Sequence, residues 1–286
     1  MNISLKVDGL VKSYGNNKVI NGISFEVYQG EIFGLLGVNG AGKTTTLECI
    51  EGLRHYEKGT IKINGTFGVQ LQSSSLQAEI KVCEAIKLFS IYKGKKNYSS
   101  LMNEHGLSDI LSKRYGQLST GQKRKLHLAL AHIGNPDILF LDEPTAGLDV
   151  ESKVALYEKI MKLKTIGKTI VITSHDMSEI ERLCDRAAIL KDGKIAYIGD
   201  LETLKNKNEK QKIVEIRLSQ RLINNPIDNI KTTDDERLVY QLKTDHLEDE
   251  LSKFISAVIS ESIEIKDIHM VKNTLEQQFV EIVKEN

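Results

Sequence analysis

The chain has 286 residues, a length that suits one large domain and one small one. Hydrophobic residues make up 40% and charged residues 27%, an ordinary balance for a globular protein with a sizeable core. Thirty-nine basic residues offset thirty-nine acidic ones, so the net charge of zero gives no electrostatic ground for a nucleic-acid surface or a polybasic membrane anchor.

Cys49, Cys83 and Cys184 are odd in number and far apart. Without a CxxC pair they read as reduced thiols of a cytosolic protein, with no zinc site. The opening MNISLKVDGLVKSYG lacks the charged-then-apolar pattern of a secretory signal. Runs such as IFGLL and ILFL fall well short of the roughly 18 apolar residues that cross a bilayer. Work at a membrane would need another chain to span it.

In chain order, four continuous apolar runs recur: EIFGLLG (31–37), DILFLD (137–142), KTIVITS (168–174) and RAAILK (186–191). Continuous rather than alternating, each predicts a strand buried on both faces. Helical patterns lie between them. After Asp149, the spacing of Val154, Tyr157, Ile160 and Met161 predicts one helical face. This alternation predicts an α/β core around a mostly parallel sheet. LKDGKIAYIG carries Asp-Gly between two apolar runs, a hairpin signal. Composition shifts near residue 200. LKNKNEKQK (204–212) is polar and lysine-rich, and a β-β-α-β-α order follows. Its elements are IVEIRLS (213–219), ERLVYQL (236–242), a helix over 247–259, SIEIKDIHM (262–270) and a last helix through Leu275, Phe279 and Ile282. The expected division is 1–203 and 204–286, the second part a small α+β domain.

GVNGAGKT, Gly37 to Thr44, follows the first apolar run and precedes a helix opening TTTLECI. It matches G-x-x-x-x-G-K-[ST], a loop whose backbone N–H groups cradle phosphates. Lys43 would reach the β- and γ-phosphates, and the Thr44 hydroxyl would bind Mg²⁺. ILFLDEP (138–144) ends a strand in two acids. Beside a phosphate loop, Asp142 is placed to hold Mg²⁺ and Glu143 to orient and deprotonate a water. Alone, such acids are more often a solvated loop. TSHD puts His175 just past another buried strand. Parallel strands end on one side, so His175 should emerge beside Gly37 and Asp142, within reach of a γ-phosphate. LSTGQKRK (118–125) reads as a loop feeding a helix, with Ser119 as its N-cap and Lys123–Lys125 on a solvated helix face.

Taken together, GVNGAGKT, a glutamine, LSTGQ, ILFLDEPTAGLD and TSHD resemble, in order and spacing, the ATP-binding cassette (ABC) ATPase family over about residues 3–200. The resemblance implies a P-loop NTPase core with a mixed sheet and a helical subdomain at about 73–133. It implies ATP held by Tyr14, which would stack on adenine, and by Gly37, Val38, Asn39, Gly40, Ala41, Gly42, Lys43, Thr44 and Thr45. Gln72 rather than Gln70 corresponds to the glutamine that contacts Mg²⁺ and the attacking water. Leu118, Ser119, Thr120, Gly121 and Gln122 correspond to the signature that covers ATP bound to a second subunit, with Thr120 standing where the family has glycine. Asp149 closes TAGLD, a subunit-contact segment.

One phosphate loop and one signature per chain imply an ATP-dependent homodimer. With no span of its own, the chain would attach to the inner face of the cell membrane through transmembrane permease subunits. The tail resembles the accessory domains of bacterial drug and antibiotic exporter ATPases, which favours export. Two other readings are weaker. An ABC ATPase acting on DNA, ribosomes or metal-cluster assembly finds no long coiled coil, second cassette or basic charge here, and a nucleotide kinase leaves LSTGQ unexplained.

Overall fold

The computed structural model describes residues 2–70, 76–94, 99–206, 212–223, 227, 230–234, 238–271 and 279. In chain order the elements are β1 (Ile3–Tyr14), β2 (Asn17–Tyr28), β3 (Ile32–Leu36), α1 (Lys43–Ile50), β4 (Lys58–Ile63), β5 (Phe67–Gln70), α2 (Val82–Tyr92), α3 (Ser99–Glu104), α4 (Thr120–His132), β6 (Ile138–Asp142), α5 (Val150–Thr165), β7 (Thr169–Ser174), α6 (Met177–Leu183), β8 (Arg186–Lys191), β9 (Lys194–Asp200) and α7 (Leu201–Asn206). Beyond them come β10 (Lys212–Leu218), β11 (Ile230–Asp234), β12 (Val239–Thr244), α8 (Leu247–Ser260) and β13 (Ile265–Val271). Two compact units emerge, Met1–Leu201 and Glu202–Glu281.

The first unit is built on a six-stranded sheet ordered β5-β6-β7-β3-β8-β9. Its first five strands run parallel and β9 returns antiparallel. Every residue of β3, β6 and β7 is buried, as strands covered on both faces require. The β8–β9 turn places Asp192 at φ 48° and Gly193 at φ 73°, the positive pair a tight hairpin needs. A separate three-stranded antiparallel sheet, β2-β1-β4, covers one face. Leu5, Val7, Leu10 and Phe25 of that sheet pack with Phe33, Phe140 and Leu47. On the other face Leu139, Leu141, Ile170 and Ile172 meet Leu128, Leu156, Ile160 and Leu183.

Residues 76–133 form a helical layer with its own core of Val82, Ile86, Leu107, Tyr115, Leu126 and Leu130. The buried face of α5 runs through Leu156, Tyr157, Ile160 and Leu163. Met161, expected on that face, is exposed, because one residue past Ile160 the helix has turned about 100° toward solvent.

In the second unit, a four-stranded antiparallel sheet ordered β11-β12-β10-β13 carries α8. Its core joins Val214, Ile216, Tyr240, Leu242, Phe254 and Val258. The order is β-β-β-α-β up to residue 271, one strand more than the sequence pattern indicates. The added β11, IKTTD, has too few apolar residues to announce itself. Apart from Phe279, the expected last helix lies outside the described residues.

Candidate functional site

The strand order brings β6, β7 and β3 side by side, with Asp142 opposite Thr173 and Ser174 opposite Leu36. Gly37, Glu143 and His175 therefore leave the sheet at one edge, as their positions after three parallel strands require.

The loop after β3 wraps tightly before α1. A Cβ on Gly37 would sit 2.6 Å from the Leu190 carbonyl oxygen. Gly42 takes φ 101°, and a Cβ there would meet the Val19 carbonyl at 2.8 Å. Only glycine serves at either place. Gly42 is also the N-cap of α1, and no side chain caps the helix. The helix start is thus left with N–H groups suited to an anion.

Lys43 is buried, and its Nζ donates to the carbonyls of Gly37 at 2.8 Å and Val38 at 3.3 Å. Burial lowers its pKa, against the opposing pull of Glu143 and Asp142. Glu143 Oε1 lies 3.8 Å from Nζ. Asn17, Val19, Asn39, Gly40, Gly42, Lys43, Thr44, Thr45 and Glu143 line a cavity of about 400 Å³. Tyr14 pairs across the hairpin with Asn17 on this rim and is 44% exposed, with Lys12 Nζ 5.0 Å over its ring. Val38 is exposed and Ala41 buried. A larger hollow of about 600 Å³ at the opposite edge, around Ser4, Asp137 and Lys168, contains none of the motif residues.

Asp142 is buried, and its Oδ1 accepts from the hydroxyls of Thr44 at 3.3 Å and of Thr173. Burial raises its pKa, while the two hydroxyl bonds oppose the shift. Thr173 Oγ1 also accepts from the Glu143 backbone N–H at 2.9 Å, so one hydroxyl anchors both acids. That role comes from the register of β6 against β7, which sets Asp142 opposite Thr173 and which neither apolar run reveals by itself. Glu143 sits at φ 43°, a strained setting for a non-glycine residue that aims its carboxylate back over the loop. His175 is half exposed, with Nδ1 3.2 Å from Glu143 Oε1.

Two oxygen donors, Thr44 and Asp142, side by side are the ligand type a hard divalent cation takes. The uncapped helix start and Lys43 fit a polyphosphate next to it. A carboxylate held by His175 at the same rim can receive a proton from a water.

LSTGQ stands apart from these groups. Leu118 is buried and Ser119 caps α4, its Oγ accepting from Gln122 N at 3.2 Å while Gln122 Oε1 accepts from Ser119 N at 3.2 Å. Thr120 is exposed. Gly121 packs so closely on α5 that a Cβ would meet Ser152 Oγ at 2.7 Å. The basic run after it is not the solvated face expected. All three residues are half-buried; Lys123 Nζ lies 5.0 Å above the Tyr115 ring, and Arg124 Nη2 donates to the Ala146 carbonyl at 3.4 Å. Long stems pack on apolar surface and leave their cations on ring faces and carbonyls.

Asp149 caps α5 by accepting from Ser152 N at 2.8 Å. Gln72 lies outside the described residues. Gln70, at the end of β5, is buried with neither amide atom hydrogen-bonded. No helix among the described residues is long and apolar enough to cross a membrane.

Comparison with known proteins agrees with this arrangement. The profile of the ABC transporter family matches residues 20–146. An ABC transporter ATP-binding protein of Methanocaldococcus jannaschii is 40% identical over 210 residues, covering 71% of this chain and 80% of that one. A Nod factor export ATP-binding protein I of Burkholderia orbicola is 41% identical over 201 residues, covering 64% of this chain and 66% of its own. Among solved structures, an ATP-binding subunit of an ABC transporter superposes with a TM-score of 0.65 at 29% identity, over 71% of this chain and 92% of the other. A nucleotide-free ATP-binding cassette at 22% identity shares the fold, with a TM-score of 0.66 over 71% of this chain and 94% of the other.

Proposed function

The chain belongs to the ABC transporter ATP-binding protein family and is an ATP-hydrolysing transporter subunit; on that footing we propose that it drives an exporter, as a homodimer docked on separate transmembrane permease subunits at the inner face of the cell membrane. Its kinship to transporter subunits sets aside the alternative of a soluble macromolecular target. The observation that carries the proposed mechanism is the cluster of Lys43, Asp142, Glu143 and His175 around an uncapped helix start.

The roles follow from those positions. N–H groups of residues 39–45 and the Lys43 ammonium hold the β- and γ-phosphates, and Tyr14 offers a ring for adenine. Thr44 and Asp142, with Gln72, would hold Mg²⁺, which when bound offsets charge on the phosphate oxygens. Glu143 takes the proton of the attacking water, an action worth ~10²–10⁴-fold, and His175 fixes that carboxylate while facing the γ-phosphate. Leu118–Gln122 close over ATP held by the partner copy, and Asp149 lies at the subunit contact. ATP then favours the closed pair and hydrolysis releases it, which moves the permease through differential affinity for its two states.

Export is favoured by the kinship to Nod factor export ATP-binding proteins at 36–41% identity. An exposed apolar strip on α2, Leu88, Ile91 and Tyr92, supports a protein partner at the helical layer. We assign 1–203 to the nucleotide-binding domain, with its helical subdomain at about 73–133, and 204–286 to an accessory domain.

Glu143→Gln tests the mechanism and the dimer together. It keeps ATP binding, lowers turnover ~10²–10⁴-fold, and elutes as a dimer on size exclusion with ATP. A variant that stays monomeric at every ATP and protein concentration overturns the dimer.

A further inference from the structure

LSTGQ and the acid-bearing edge belong to different sites in the dimer, yet within one chain they are tied together. Gly121 lies flush against Ser152, whose N–H is capped by Asp149. Three residues along α4, Arg124 crosses to the 143–149 loop and donates to the Ala146 carbonyl at 3.4 Å. Ala146 N in turn donates to the Glu143 carbonyl at 3.2 Å, closing the turn that leads out of the acid pair. Arg124 is half-buried and stands within electrostatic reach of Asp142, Glu143 and Tyr115. The Tyr115 ring stacks on His127, with Oη 3.0 Å from Nε2, and has Lys123 Nζ 5.0 Å from its centroid. The guanidinium thus joins the start of α4 to the loop that begins at the proposed general base.

We propose that Arg124 is a positioning residue that couples the chain's own nucleotide site to its signature loop. Movement at Glu143 shifts the 143–149 loop through the Ala146 N–H bond to the Glu143 carbonyl, and Arg124, gripping Ala146, passes that shift to the start of α4 where Ser119–Gln122 sit. A planar guanidinium suits this task because it is always charged and holds the carbonyl through a fixed fork of N–H groups. The inference rests on the reading that the signature serves the partner's ATP.

The test uses the full chain with Glu143→Gln as background. Arg124→Gln should leave binding of a fluorescent ATP analogue to the monomer within about twofold, and should raise the ATP concentration needed for dimerisation about tenfold or more. In the chain with Glu143 intact, the same variant should flatten the ATP dependence of turnover toward non-cooperative behaviour. Arg124→Lys should restore only part of the effect. Unchanged dimerisation in Arg124→Gln, with a native circular dichroism spectrum, overturns the coupling. So does an equal loss of monomer binding and dimerisation, the signature of a merely structural role. If Arg124→Gln does not fold, Arg124→Lys is read by the same two measurements. Glu143→Gln failing to dimerise on its own strikes the dimer reading instead.

Discussion

Thr173 carries no charge, yet two acids depend on its hydroxyl. It donates to Asp142 Oδ1 and accepts from Glu143 N–H, so it fixes both the side chain proposed to hold the metal and the backbone of the proposed base. Thr173→Val keeps the shape and removes both bonds. Mg²⁺-dependent turnover should fall by ~10–100-fold, the usual cost of losing a partner one shell out from a metal. Binding of ATP without Mg²⁺ should hold within about twofold, and Thr173→Ser should recover most activity. Wild-type turnover in Thr173→Val would refute the anchoring role. The acids themselves were legible, because a phosphate loop upstream gives a strand-end Asp-Glu its meaning. Thr173 and Arg124 were not legible: their partners come from strand register and helix crossing, which local pattern does not encode. Nor does sequence reveal that Glu143 adopts φ 43°.

At the scale of elements, β3, β6 and β7 announced themselves as unbroken apolar runs because both faces are covered. The long β1–β2 hairpin did not. Its register shifts between Val7 and Leu10, so the period-two pattern breaks in mid-strand at Gly9. In the helical layer, His105 and His132 are buried edge to face, with Nε2 and Nδ1 3.1 Å apart. Burial pushes the pKa of His105 down to about 3 and that of His127 to about 4, and lowers His132 as well. The unfolded chain binds these protons below about pH 6.5 while the folded one does not, so stability falls as pH drops from there toward 4 and 3. The urea midpoint should therefore decline from pH 7 to pH 5. Replacing His105 and His132 together by Leu, a residue of similar size, should flatten that decline. An equally steep decline in the double variant would place the acid sensitivity elsewhere.

For the whole molecule the question is what residues beyond the cassette contribute to nucleotide binding. Every described motif residue, from Tyr14 to His175, lies in the first unit. That unit has three hydrophobic clusters of its own, and β9 already ends its main sheet as an antiparallel edge strand. The second unit closes a core around Phe254 and Val258 on its own sheet. The helix α7, Leu201–Asn206, begins at the last residue of the first unit and leads into the second. A chain ending after Asn206 keeps that helix and should fold, with ATP affinity within about twofold of the full chain. Full-length protein should lose one unfolding transition on this truncation, since domains with separate cores unfold as separate units. A truncated chain that is folded by circular dichroism but no longer binds ATP would mean that residues 207–286 complete the site. Intact binding combined with lost ATP-driven dimerisation in the Glu143→Gln background would assign those residues to the subunit contact.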